Sequence, residues 1–155
     1  MTRNGIATGD WTSALSAKIR DMDWSDEGIV LSARKHGESA AIVTLLTRAN
    51  GRHSGLVHGG SGSRARGIYQ TGNLVSADWR ARLSEHLGTM TCELIRPYAA
   101  ALMTERLPLL ALISAGALLE RLLPEREPHP ETFDRFQSLI ESLGDGPDWV
   151  EGYVH

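Results

Sequence analysis

Ala41-Ile42-Val43-Thr44-Leu45-Leu46-Thr47, then Asn50-Gly51, then Arg52-His53-Ser54-Gly55-Leu56-Val57: the architecture of the chain turns on these residues. The first seven are apolar or β-branched and carry no helical period, so they read as a strand. Asn-Gly between two such runs is the strongest short hairpin signal, because a two-residue type I′ turn needs positive φ at both positions. Residues 52–57 then supply the returning strand. Upstream, Gly28-Ile29-Val30-Leu31 is a short apolar run, broken off at His36-Gly37. Downstream, Val75, Ala77, Trp79 and Ala81 share one face of an alternating segment, and Ser76, Asp78, Arg80 and Arg82 share the other.

Met90, Cys92 and Leu94 alternate with Thr89, Thr91 and Glu93 in a last strand. Five strands in roughly 70 residues, with turn signals between them, predict a small, partly closed Greek-key barrel of the OB type. Between the third and fourth strands, Gly59-Gly60-Ser61-Gly62-Ser63-Arg64-Ala65-Arg66-Gly67 reads as a flexible loop. After Pro97 the period becomes helical. Leu107 to Leu123 is apolar nearly all round, as a buried helix is. Residues 124–130 hold three prolines and read as a rigid linker. A helix follows from Glu131 to Leu143, with Phe133, Phe136, Ile140 and Leu143 as its stripe and Gly144 at its C-terminal cap. Pro147 opens another helical pattern carrying Trp149 and Tyr153.

The fold class is therefore α+β: a five-stranded OB-type barrel over residues 22–96, followed by a truncated α-helical domain over residues 97–155. Residues 1–21 read as a leader. Met22 opens the better-organised sequence and is the expected natural start, with the leader an upstream extension; the alternative is a real N-terminal helix on the weak apolar patch Trp11, Leu15 and Ile19.

Charge is segregated along the chain. Residues 28–82 carry eight Arg and Lys against Glu38 and Asp78, a balance of +6. Residues 83–155 carry twelve Asp and Glu against five Arg, a balance of −7. A basic β-rich block before an acidic helical one points to a polyanion-binding domain. The single cysteine, Cys92, excludes an internal disulfide framework and a Cys-rich zinc site, and fits a reducing compartment. No apolar run is long enough to predict a transmembrane helix, so no membrane partner is expected.

Several pieces in order resemble the bacterial RecO family of recombination mediators. They are residues 22–31 (MDWSDEGIVL), 37–43 (GESAAIV), Leu46-Thr47-Arg48, 51–60 (GRHSGLVHGG), Gln70-Thr71-Gly72-Asn73, 79–82 (WRAR), Leu87-Gly88 and 122–130 (LLPEREPHP). The resemblance runs over residues 22–155. It implies an N-terminal OB domain and a helical domain in a cytoplasmic, nucleoid-associated DNA repair protein. Members of the family bind single- and double-stranded DNA and anneal complementary strands. With RecR they load the RecA recombinase onto DNA coated by single-strand-binding protein, whose acidic-apolar tail they contact. The chain departs from the family by ending early: further helices, and in some members a Cys-rich zinc module, are not in this sequence.

An OB barrel holds single strands with a basic groove along the backbone and aromatic faces under the bases. The cationic candidates are Arg34, Lys35, Arg48, Arg52, Arg64, Arg66, Arg80 and Arg82, with Tyr69 as a stacking candidate. The Gly59–Gly67 loop is placed to wrap a phosphate with backbone N–H groups, but it lacks the Lys-Ser/Thr ending of a P-loop, so ATP is not expected. His53 and His58 could touch phosphate when protonated. Trp79 and Cys92 read as core, and the linker glutamates as a solvated run. No nucleophile with its base stands out, so neither an enzyme, a cofactor nor a metal is expected. The alternative reading is a protein-interaction adaptor that docks a partner on its apolar helical surface.

Overall fold

The computed structural model describes residues 23–83 and 86–144. The expected leader, and the Trp149/Tyr153 helix, lie outside the described residues. Five strands, β1 (Trp24–His36), β2 (Ala40–Thr47), β3 (Gly51–Val57), β4 (Leu74–Arg80) and β5 (Thr89–Arg96), close into a barrel in the order β1-β2-β3-β5-β4. Strand β1 is long enough to close the circle by itself. Its first half pairs antiparallel with β4, Trp24 opposite Trp79, and its second half pairs with β2. The β3–β5 seam is the narrow one, a single parallel pair at Leu56 and Thr89.

The hairpin after β2 is wider than the sequence predicts. Arg48, Ala49 and Asn50 lie between the strands, and Gly51 takes the positive φ of 70°. Asp26 fixes this turn from β1, accepting hydrogen bonds from the Ala49 N–H at 2.8 Å and the Asn50 amide at 3.0 Å. The segment expected to be a flexible loop holds a short helix, α1 (Ser63–Ile68). Ala65 and Ile68 pack against the barrel core, which gives the loop an apolar reason to order.

Two cores explain why the first two strands do not alternate. Val30, Val43, Leu45, Val57, Val75, Ala77, Trp79, Met90 and Cys92 fill the barrel. Ile29, Leu31, Leu46 and Leu74 point outward, into a second core built with the helices α2 (Tyr98–Leu102), α3 (Arg106–Leu122) and α4 (Pro130–Gly144). A strand covered on both faces needs apolar residues at consecutive positions. The predicted stripe of Phe133, Phe136, Ile140 and Leu143 is buried in full.

Helix α3 departs from expectation. It is not buried all round: only Pro108, Leu112 and Gly116 are buried, while Leu107 is 72% and Leu122 68% exposed. The residues after it are not a free linker either. Glu125 bridges in parallel to Arg52 of β3, and the Arg126 N–H donates to the Arg52 carbonyl at 2.7 Å. The helical part is thus laced to the barrel edge that β5 leaves open. No helix among the described residues is long and apolar enough to cross a membrane.

Candidate nucleic-acid interface

The eight predicted cations divide into two groups. Arg48 sits between Glu27 at 3.4 Å and Asp134 at 3.1 Å, with its guanidinium 4.4 Å from the centroid of the Phe133 ring. Arg52 donates from Nε to the Leu123 carbonyl at 2.8 Å and lies 3.5 Å from Glu125. These two fasten α4 and the linker to the barrel. Arg34, Lys35, Arg64, Arg66, Arg80 and Arg82 are exposed, and none has a carboxylate partner among the described residues.

Four of these six cations border two concavities; Arg34 and Arg64 line neither. A cavity of about 480 Å³ lies where the β1–β2 hairpin meets α1; Lys35 and Arg66 line it, with Ser61, Gln70 and Thr71. An open, mostly apolar cleft of about 610 Å³ lies over the β3–β5 seam; Arg80, Arg82 and His86 line it, with Leu56 and Leu87. Cations around a low-dielectric wall focus potential toward a polyanion.

Three expectations are corrected. Tyr69 is buried, only 7% exposed, with its ring in the barrel core. Burial first, and then the neighbouring Cys92 thiol, push its hydroxyl well above the ordinary range. Only a small part of Tyr69 reaches the cavity that Lys35 and Arg66 line. Cys92 is core, as its alternation predicts, and burial pushes its thiol up to about 12. Four amides of residues 59–67 are spent within the protein, which narrows the expected phosphate cradle to the first turn of α1. The N–H groups of Gly60, Ser61, Gly62 and Arg66 donate to the carbonyls of Val57, Ser39, Gly59 and Gly62. Arg64 and Arg66 remain exposed there as side-chain cations.

His53 is the third correction. It is 4% exposed, between Trp24 (centroids 5.0 Å apart) and Trp79 (4.4 Å), both edge-on. Trp24 and Trp79 stack at 5.9 Å. Burial, and then the Arg126 charge, lower the imidazole to about 4, so it is neutral at physiological pH and is no phosphate contact. The signal for this was its parity: His53 alternates with Gly51, Gly55 and Val57, which all face inward. His58, one residue past β3, is exposed. Among the described residues Trp24 and Tyr98 are half-buried and the other Trp, Tyr and Phe rings are buried. Among the described residues no group of His, Cys, Asp or Glu is placed to hold a metal.

Arg126 is the residue that sequence reading missed. Among the described residues it is the non-glycine residue with positive φ, 62°. Its guanidinium lies 5.1 Å from the Trp79 ring centroid and donates to the His86 carbonyl at 2.7 Å. A Pro-flanked Glu-Arg-Glu run looks like solvated charge, and nothing local in it distinguishes the arginine.

The closed five-stranded barrel with trailing helices is an OB-fold protein. Residues 22–98 match the family described as "Recombination protein O N terminal", and residues 103–154 match "Recombination protein O C terminal". The chain is 53% identical over 133 residues to a "DNA repair protein RecO" of Rhodospirillum centenum, covering 86% of the chain and 53% of that relative. It is 48% identical over 138 residues to one of Rhodospirillum rubrum, covering 86% and 55%. The match to one of Bradyrhizobium diazoefficiens is 52% over 124 residues, covering 80% and 49%. The chain belongs to the RecO family of DNA repair proteins. It spans about half the length of the curated relatives it matches.

Proposed function

We propose that this chain binds DNA through the barrel in recombinational repair. The observation that carries the reading is that six of the eight predicted cations, together with Arg96 of β5, are exposed on the barrel part without a carboxylate partner among the described residues, while the block after it carries the net acidic charge. Phosphate contacts of this kind supply affinity and little sequence information, which suits a protein that handles any strand. Arg34, Lys35, Arg64, Arg66, Arg80 and Arg82 are the contacts; Arg48 and Arg52 hold the fold. By likeness to the family, the activity is the annealing of complementary strands and, with RecR, the loading of RecA onto DNA coated by single-strand-binding protein. The chain acts as a mediator rather than an enzyme, in the cytoplasm at the nucleoid.

Anisotropy of a labelled single-stranded oligonucleotide across a salt series tests this. Log K should fall with log salt at a slope of roughly −3 to −4 if four to six cations meet phosphates. Lys35→Ala and Arg66→Ala should each flatten that slope by about 0.7. Arg52→Met should leave the slope unchanged and lower stability by about 1–2 kcal/mol, through the lost ties to Leu123 and Glu125. An absence of binding at low salt would reject the reading.

The exposed apolar side of α3 favours a second reading, the adaptor, in which a partner docks there. In that case partner capture survives the loss of all six cations.

A further inference from the structure

Three successive carbonyls on the limb entering β5 are each held by a different element. The Gly88 carbonyl accepts from the Leu56 N–H of β3 at 2.9 Å. The Leu87 carbonyl accepts from the Trp79 indole N–H of β4 at 2.9 Å. The His86 carbonyl accepts from the Arg126 guanidinium, in the segment after α3, at 2.7 Å. The Arg126 backbone is itself fixed by its hydrogen bond to the Arg52 carbonyl, at a φ that an L-residue rarely adopts. The same limb, with Arg80 and Arg82, lines the cleft of about 610 Å³.

We infer that Arg126 is a positioning residue for this cleft. It carries the docking of the segment after α3 to the limb His86–Gly88, so that the helical part sets the spacing of Arg80, Arg82 and His86 that a DNA backbone meets. The inference rests on the DNA-binding reading of the barrel. A planar guanidinium can donate to His86 from one edge while its face lies against Trp79, and a lysine cannot reproduce both contacts. With Arg126 in place, the narrow β3–β5 seam is held from both sides. Without it, the limb keeps two of its three donors, and the seam hydrogen bond of Leu56 opens more often.

Arg126→Gly is the informative variant, because glycine accepts the positive φ without strain and the substitution removes only the side chain. Amide exchange by NMR should show the Leu56 N–H exchanging about tenfold faster. The Trp79 indole N–H resonance should move, and oligonucleotide affinity should fall about three- to tenfold. Arg126→Lys should behave as Arg126→Gly in all three readouts. Arg48→Met, which loosens α4 without touching His86, should leave Leu56 exchange and the Trp79 resonance as they are. Unchanged Leu56 exchange and Trp79 resonance in Arg126→Gly would overturn the inference. So would full affinity in Arg126→Lys with fast Leu56 exchange, since Arg126 would then be a plain phosphate contact. A parent chain that binds no oligonucleotide rejects the DNA reading and the functional half of the inference together; the exchange and resonance data still decide whether Arg126 holds the limb.

Discussion

Gly51 shows how a single residue couples the hairpin to the helical part. Its φ of 70° lies in the left-handed region, and a Cβ there would come within 2.1 Å of the Glu127 carbonyl oxygen. Gly51→Ala therefore adds backbone strain to a clash with backbone that cannot rotate away. Stability should drop by about 2–4 kcal/mol, read as a lower urea midpoint. His53 makes a prediction about pH. The unfolded imidazole takes up a proton near 6.5, the folded one only near 4, because burial disfavours the charged form. Between those values acid favours the unfolded chain, so stability is full above pH 6.5 and falls as the pH drops toward 4. The loss is on the order of 3 kcal/mol. Urea midpoints from about pH 7 to about pH 4.5 should show this fall, and His53→Phe should flatten it. A variant with the same pH dependence as the parent would remove His53 as the cause.

At the scale of elements, the strands were legible and the connections were not. Val75, Ala77 and Trp79 alternate with Ser76, Asp78 and Arg80 because β4 has one wet face, and period-2 patterning records that directly. The helix α4 was legible for the same reason at period 3.6. The loop at residues 59–67 was misread because its composition signals flexibility. What orders it is distant. Asn73, 1% exposed, donates from its amide to the Gly67 and Ile68 carbonyls, each at 3.0 Å, and accepts from the Ala99 N–H at 3.0 Å. One buried side chain thus ties the end of α1 to the start of α2. Asn73→Ala strands two carbonyls and one N–H. It should cost about 2–4 kcal/mol and release residues 61–68 to fast amide exchange ahead of global unfolding. Exchange there at the parent rate would show that Ala65 and Ile68 suffice to hold the helix.

For the whole molecule, the second core makes barrel and helices one body, and α3 leaves a row of apolar side chains uncovered. Leu107, Leu110, Ile113, Leu118 and Leu122 are 46–72% exposed on one helix. A contiguous apolar stripe of that kind drives association in water. The chain should self-associate at micromolar concentration in sedimentation velocity. Leu110→Glu with Leu118→Glu should return it to a monomer without lowering the urea midpoint, since neither side chain supports the core. A monomeric parent would show that the stripe is tolerated as solvent-exposed surface.

The five strands, the inward residues of β4, the buried stripe of α4 and the segregation of basic from acidic charge could all be read from the chain before it was folded. Each is a property of local periodicity or composition, and the family resemblance follows from the same ordered pieces. Which cations are free emerged with the folded chain alone, because Arg48 and Arg52 look like the others until Glu27, Asp134 and Glu125 arrive from elsewhere in the sequence. The interior placement of Tyr69, and that of Arg126 over Trp79, emerged in the same way. Those outcomes depend on contacts between residues dozens of positions apart, and a desolvation or an ion pair is set by what surrounds a group in space.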